Sequence, residues 1–228
     1  MINEHCGLCL SADTKLHRFI ATLDVETAHH RVKDQRTKCG FGLQGVCCRL
    51  CSNGPCRITP DSPRGVCGAD ADTIVGRNFL RAVAAGAGCY VHVLETAAET
   101  LREICREKGE LKGEAALNRL AAMLEIYAAD VYQKGLLVAD KILADLYKPR
   151  SAKMELVAKV AYQPRFATWQ KLGILPGGAK SEVFDGIVKT STNLSSDPLN
   201  MLFNCLTLGI VTGLYGLTLT NLVNDAIL

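Results

Sequence analysis

The sequence predicts an all-α fold in which one irregular loop, rich in glycine and cysteine, interrupts the helices. Apolar residues recur at helical spacing through most of the chain after residue 69, and no stretch alternates apolar and polar residues as a half-buried strand does. Residues 39–68 contain six Gly, three Pro and six Cys without any period, which is typical of loop. We therefore expect a first region over 1–68 and a helical bundle over 69–228.

The helices are predicted in order from their spacing and their end signals. A polar helix should begin near residue 15, since Leu16, Phe19, Ile20 and Leu23 form a helical stripe. Val75, Phe79 and Val83 mark one face of a later helix, and Leu101, Ile104 and Cys105 mark another. The periodicity places these later helices over residues 71–87, 96–108, 114–146 with one break, and 155–160. Asp197-Pro198 predicts the start of a further helix, with an N-cap followed by proline.

That last helix is unusually apolar, because no charged residue occurs from Leu199 to Asn224. Gly209 and Gly213 also match the GxxxG pattern of membrane helices. However, Asn and Thr are frequent in this stretch, and neither flank has the basic or aromatic anchors of a membrane span. We therefore predict a buried core helix and no transmembrane segment.

Composition limits the class of protein. The chain has 228 residues, of which 48% are hydrophobic and 21% charged, so it can bury a core. Its formal net charge of +3 is too small to indicate nucleic acid as the main partner. The first ten residues contain charges and cysteines but no apolar segment of a secretory signal, so we expect a cytoplasmic protein. In a reducing compartment, dense cysteines favour metal binding over disulfides.

The cysteine-rich loop contains one complete ligand set, formed by Cys48, Cys51, Cys56 and Cys67. Four thiolates at such close spacing can hold the four irons of a [4Fe-4S] cubane, and the glycines allow backbone N–H groups to approach its sulfurs. A structural zinc site is the alternative, since four thiolates also suit tetrahedral zinc. Zinc ribbons usually have two separated CxxC pairs, so the spacing here favours iron and sulfur.

Two further cysteines of the loop, Cys39 and Cys47, are too few to complete a second four-ligand site within one chain. A twofold axis would supply the same pair from a second copy and complete four ligands at a homodimer interface. Cys6 and Cys9 form another CxxC, which could be an extra cluster or redox site but is weak evidence by itself. Cys89, Cys105 and Cys205 lie in apolar helical surroundings and are predicted to be buried and unmodified.

The loop also carries a family resemblance, in the strings TKCGFGxxGVCCRLCxxGPCRI, GVCGADADTIVGRN and AVAAGAG. These resemble the N-terminal domain of anaerobic nickel-iron carbon monoxide dehydrogenases, within a superfamily that includes hybrid-cluster proteins. The resemblance implies one [4Fe-4S] cluster per chain on Cys48, Cys51, Cys56 and Cys67. It implies a second cluster, shared between two subunits, on Cys39 and Cys47.

The resemblance also implies the reaction of the complete enzyme, in which CO and water give CO2, two protons and two electrons for a ferredoxin-like acceptor. The family holds its Ni-Fe-S cluster farther along the polypeptide, in α/β domains that this sequence does not contain, so the 228-residue chain alone should not be catalytic. Family members place histidines every three residues after the AAGA motif as a proton relay. Here His92 stands in that stretch with Glu95 and Glu99, as a proton carrier or a hydrogen-bonded core histidine.

Two other functions stay open at this point. One is a reductase of the hybrid-cluster type, which acts on hydroxylamine. The other is a stand-alone ferredoxin-like carrier or a zinc-stabilised interaction domain.

Overall fold

The structure is a computed structural model that describes residues 14–27, 31 and 38–228. The chain divides into two compact units, Met1–Gln44 and Gly45–Leu228. In the first unit, the described residues form α1 (Thr14–Ile20) and the short α2 (Gly40–Gln44). The helix α1 is shorter than predicted, because the N–H and hydroxyl of Thr22 both donate to the Phe19 carbonyl and close a turn there. Its residues Leu16 and Phe19 are exposed.

The second unit begins with a small antiparallel hairpin and continues as helices, which confirms the all-α prediction. The boundary at residue 68 between a loop region and a bundle stays a prediction. The elements of this unit are β1 (Cys47–Cys48), β2 (Cys56–Arg57), α3 (Ala71–Glu107), α4 (Glu114–Met123), α5 (Val131–Leu146), α6 (Glu155–Val160), α7 (Gln163–Lys171), α8 (Ala179–Lys189), α9 (Pro198–Ile210), a π-helical segment (Val211–Leu219) and α10 (Thr220–Ile227).

The central element is α3, a single 37-residue helix where the sequence predicts two shorter ones. Its N-cap is Asp70, whose carboxylate accepts the Thr73 N–H at 2.9 Å. Helices α5, α8 and α9 and the π-helical segment pack along it, which compensates for the low helix propensity of Gly86 and Gly88. On the face predicted from Val75, Phe79 and Val83, the first two side chains are exposed, and Val83 is partly buried against the core. The buried stripe is instead formed by Ile74, Arg77, Leu80, Ala84, Ala87, Val91, Leu94, Ala98, Leu101 and Cys105.

The remaining helices largely follow the sequence signals. The break predicted within residues 114–146 separates α4 from α5, and α6 has the predicted bounds. The sequence analysis does not predict α7 and α8, nor the short α2 of the first unit, which lies in the stretch expected to be loop. In α7, Pro164 lies in the first turn, where proline costs no helix hydrogen bond and is therefore compatible with the start of a helix.

The apolar C-terminal segment forms one continuous helical rod, Pro198–Ile227, made of α9, the π-helical segment and α10. Within the described part of the chain, it is the helix that is long and apolar enough to cross a membrane, with a mean hydropathy of 1.6. One face of the rod lies in the core of the second unit, through Met201, Leu208, Val211, Tyr215, Leu219, Val223 and Ala226. This face agrees with the predicted core helix, while the opposite side exposes Leu199, Leu202, Phe203 and Leu206.

The π-helical segment meets α3 at Gly216, and this close approach requires glycine. A Cβ at Gly216 would overlap the Cβ of Tyr90 and lie 3.1 Å from its Cγ. We expect Gly216→Ala to lower the free energy of unfolding by about 1–3 kcal/mol, as overpacking does. Gly213→Ala is the matched control, since a Cβ at that position would have no atom within 4 Å and alanine is a better helix former. Urea unfolding of both variants checks this, and equal stabilities would contradict it.

Candidate metal centre

In the hairpin of the second unit, cysteine side chains point to two opposite faces. Its strands pair antiparallel, with Cys48 opposite Cys56 and Cys47 opposite Arg57. Residues directly opposite each other share one face of a pair, and successive residues along a strand point to opposite faces. Cys48 and Cys56 therefore share one face, and Cys47 belongs to the other.

The turn between the strands carries Cys51 and is closed by Gly54. The Gly54 N–H donates to the Cys51 carbonyl at 3.3 Å. A Cβ on Gly54 would lie 3.1 Å from both the Cys48 carbonyl oxygen and the Cys56 nitrogen, closer than side-chain carbons normally come. A glycine at this position therefore allows the turn to fold tightly over the hairpin that bears the other cysteines.

The loop that carries Cys67 lies against Cys56. The Val66 N–H donates to the Cys56 Sγ at 3.5 Å, and the Cα of Gly65 faces the same thiol, since a Cβ there would lie 3.5 Å from that sulfur. The loop is closed by hydrogen bonds of 2.8 Å from the Gly65 N–H to the Ala69 carbonyl and from the Gly68 N–H to the Gly65 carbonyl. Gly68 has a φ of +86°, a conformation that other residues rarely adopt.

The thiol of Cys67 has the electrostatic environment of a metal ligand. A hydrogen bond from the Ala69 backbone and then one from the Arg77 guanidinium hold the pKa of Cys67 below its usual value, against the opposing effect of burial. The Arg77 Nη1 lies 3.6 Å from the Cys67 Sγ. A lowered thiol pKa favours the thiolate, which is the form that binds metals.

A small apolar cluster packs against the cysteines of the ligand set. Cys48, Ala69 and Ile74 are buried together, and Cys56 and Cys67 are among the partly buried residues packed against them. Three of the four predicted ligands thus belong to or contact one small apolar cluster, and Cys51 lies on the turn that connects the two strands. The arrangement fits an iron–sulfur cluster in its donor chemistry, with soft thiolates and backbone N–H groups directed at sulfur.

A single metal ion is a different case. Among residues 14–27, 31 and 38–228, no group of three or more His, Cys, Asp or Glu side chains is arranged to hold one ion. A cubane takes one thiolate on each of four irons, so its ligands stand apart around the cluster.

The second predicted pair is divided between the two units. Cys39 is exposed and directly precedes α2, where its carbonyl accepts the Leu43 N–H at 3.0 Å. Cys47 is half-buried in β1. Its carbonyl and that of Gly45 each accept a 2.9 Å hydrogen bond from the Asn78 side chain of α3, which anchors the strand. Cys6 and Cys9 lie outside the described residues, so the extra site stays a prediction.

His92 lies on α3, where its side chain is mostly exposed, with Nδ1 3.8 Å from a Glu95 oxygen. The alternative of a buried core histidine is therefore wrong. Glu95 is the centre of a polar group, since it accepts hydrogen bonds from Lys180 at 2.6 Å and from Tyr147. Burial alone would raise the pKa of Glu95, but these two bonds outweigh it and hold that pKa below its usual value.

The three scattered cysteines differ in exposure. Cys105 is buried, as predicted, and burial raises the pKa of its thiol. Cys205 is half-buried, and its thiol pKa is raised for the same reason. Cys89 is exposed, so its predicted burial is wrong, because it lies on the outer side of α3.

Two residues of the site were not predicted, Arg77 and Asn78, through which α3 holds the cysteine loop. A signal for Arg77 is nevertheless present in the sequence. Ile74, Arg77 and Leu80 follow each other at intervals of three, so the arginine interrupts an apolar helical stripe at a core position. Arginine is almost never fully buried unless it is paired, and such a position indicates a specific partner.

Comparison with known proteins identifies the family of the chain. Residues 46–228 match the model of the Prismane/CO dehydrogenase family. The chain is 50% identical over 204 residues to a carbon monoxide dehydrogenase of Methanocaldococcus jannaschii, covering 88% of this chain and 33% of the relative. It is 49% identical over 208 residues to a carbon monoxide dehydrogenase of Methanopyrus kandleri, covering 89% and 32%. The chain thus spans about one third of the length of these relatives.

Solved structures resemble the fold as well. Carbon monoxide dehydrogenase IV from Carboxydothermus hydrogenoformans superposes with a TM-score of 0.81 at 32% identity, over 94% of this chain and 35% of that one. A nickel-free carbon monoxide dehydrogenase from Thermococcus sp. AM4 has a TM-score of 0.81 at 31% identity, over 89% and 33%. By its sequence match over residues 46–228 and by its fold, the chain belongs to the Prismane/CO dehydrogenase family.

Proposed function

We propose that this chain is the iron–sulfur electron-transfer domain of an anaerobic carbon monoxide dehydrogenase-like oxidoreductase. The observation that carries the proposal is the hairpin register, which puts Cys48 and Cys56 on one face, with the Cys67 loop packed against Cys56. With Cys51 on the connecting turn, these residues are the ligands of one [4Fe-4S] cluster per chain. A bound cluster of this kind stores and passes single electrons.

The chain's own residues prepare this site in three ways. Arg77 and the Ala69 backbone favour the thiolate of Cys67. The Val66 N–H directs a donor at the Cys56 sulfur, which stabilises negative charge there. Gly54 and Gly65 let the backbone approach the cysteines more closely than other residues would allow.

The reaction of the complete enzyme is the oxidation of CO with water to CO2, two protons and two electrons. This chain passes those electrons from the active Ni-Fe-S cluster to a ferredoxin-like acceptor in the cytoplasm, and by itself it does not oxidise CO. The relatives from M. jannaschii and M. kandleri are both carbon monoxide dehydrogenases, which favours this activity over a hydroxylamine reductase. Their additional length can accommodate the domains that hold the active cluster.

Cys39 and Cys47 hold a second [4Fe-4S] cluster together with the same two residues of a second copy. The support for this is that Cys47 belongs to the other face of the hairpin from Cys48, and that Cys39 is exposed. Cys47 therefore points away from the face of the hairpin that carries Cys48 and Cys56. A dimer built in this way contains three clusters, one in each chain and one shared.

The double substitution Cys39→Ser and Cys47→Ser tests the shared cluster. We expect the iron content to fall by about four per dimer, the content of one cubane, while both in-chain clusters remain. Dimerisation should weaken, because metal binding contributes free energy to the assembled state. Iron analysis and sedimentation of the anaerobically reconstituted chain measure both effects, with the exposed Cys89→Ser as the matched control. A double variant that keeps all its iron would contradict the assignment.

A further inference from the structure

Arg77 is a buried cation without a carboxylate partner. The residue is 3% exposed, and among the described residues it takes part in none of the ion pairs with Asp or Glu. Its Nε also has no hydrogen-bond partner there. A buried charge is costly unless it is paired, so the negative charge that balances this guanidinium must come from another group.

The group that faces Arg77 is the sulfur of Cys67. One guanidinium nitrogen, Nη1, lies 3.6 Å from the Cys67 Sγ, and the other, Nη2, donates to the Ser195 carbonyl at 2.9 Å. Arginine holds such a fork rigidly, because its guanidinium is planar and always charged. The bond to Ser195 therefore fixes the position of the charge relative to the cysteine.

The anchor of Arg77 on the far side is itself well fixed. One turn earlier on α3, the Thr73 hydroxyl donates to the carbonyl of Ser196 at 3.2 Å. Thr73 and Arg77 thus hold two successive carbonyls immediately before Asp197, the N-cap of α9. The guanidinium is held between the packed start of α9 and the cysteine loop, and it cannot move away from Cys67 without breaking these contacts.

We propose that Arg77 is a positioning residue for the in-chain cluster. Arg77 holds Cys67 in place and favours the reduced form of the cluster. This inference rests on the proposed function. Each electron that enters the cluster increases its negative charge by one, and a fixed positive charge beside a ligand sulfur stabilises the more negative form. Hydrogen bonds to the sulfurs act in the same direction. Removing the charge should therefore make the cluster harder to reduce.

The test is a redox titration of the reconstituted chain in the Cys39→Ser/Cys47→Ser background, so that only the in-chain cluster contributes to the EPR signal. An external one-electron donor supplies the electron. We expect Arg77→Gln to lower the equilibrium constant for reduction at least tenfold, which is 59 mV for a one-electron couple. Arg77→Lys restores the charge and should bring the potential back toward that of the unsubstituted chain.

Thr73→Val is the structural control. It removes the hydrogen bond to the Ser196 carbonyl, next to the Ser195 carbonyl that Arg77 binds, without changing the charge. It should lower thermal stability and leave the potential unchanged. A loaded Arg77→Gln chain with an unchanged potential would overturn the inference while leaving the proposed function intact.

If Arg77→Gln takes up no iron, Arg77→Met removes the charge without leaving a polar group buried, and the same shift is expected. Failure of both to load while Thr73→Val loads would overturn the tuning role. An unsubstituted chain that takes up no iron would overturn the proposed function and this inference together.

Discussion

Cys56→Ser is expected to remove the in-chain cluster and about eight irons per dimer, four from each chain. Cys56 is the centre of the ligand set, because it contacts the segments of two other ligands. Its backbone pairs with that of Cys48 across the hairpin, and its sulfur accepts a hydrogen bond from the Val66 N–H in the loop that carries Cys67. A serine hydroxyl is a harder ligand than a thiolate and suits an iron–sulfur cluster poorly. The shared cluster on Cys39 and Cys47 has its own ligands and should remain.

Iron and sulfide analysis after anaerobic reconstitution measures this loss. Cys89→Ser is again the control, since it changes an exposed cysteine of α3 that belongs to neither ligand set. Retention of all in-chain iron by Cys56→Ser would mean that another residue completes the set.

Asp145→Ala is expected to cause the largest loss of stability outside the metal site, about 3–5 kcal/mol, because several polar groups lose their common acceptor and each unsatisfied buried group costs about 1–3 kcal/mol. Asp145 is 2% exposed on α5. Its two oxygens accept the N–H groups of Glu155 and Leu156 at 2.9 and 3.0 Å, so it caps the start of α6. It also accepts a hydrogen bond from Tyr215 of the π-helical segment and pairs with Lys148 at 2.9 Å.

The substitution thus leaves the N–H groups of Glu155 and Leu156 and the buried hydroxyl of Tyr215 without their acceptor. For a chain of this size, the expected change corresponds to a decrease in Tm of about 6–20 °C. Asp140→Ala on the same helix is the control, because Asp140 is exposed and lies 3.8 Å from Arg102, a pair worth at most about 1 kcal/mol. Calorimetry that finds similar decreases for both variants would contradict the role of Asp145.

The sequence predicts the helices correctly where local signals and tertiary packing agree. Asp197-Pro198 begins α9 as predicted, because the Asp197 carboxylate accepts the Asn200 N–H at 3.1 Å and proline tolerates the first turn. The prediction divides α3 near its glycines, because spacing alone cannot show that neighbouring helices pack along this stretch. For the same reason, it does not show that the buried stripe runs through Ile74, Arg77 and Leu80, while Val75 and Phe79 are exposed.

At the candidate site too, local sequence patterns cannot show which residues come into contact. Cysteine spacing predicts the in-chain ligand set, and the family resemblance implies the second set on Cys39 and Cys47, but neither shows why adjacent Cys47 and Cys48 should serve different clusters. The pleat of a strand provides the reason, since it sends neighbouring side chains to opposite faces. The contact between Arg77 and Cys67 joins the helix to the loop through side-chain geometry, and no local pattern in the loop encodes it.

The metal content of the unsubstituted chain is the most direct test of the central claim, that four cysteines of one loop hold a [4Fe-4S] cluster and two more share another. Anaerobic reconstitution with iron and sulfide in the presence of equimolar zinc should yield a brown dimer. Elemental analysis should then find about twelve irons and as many sulfides per dimer, the content of three cubanes. Stoichiometric zinc without iron would contradict the account and indicate a structural zinc domain instead.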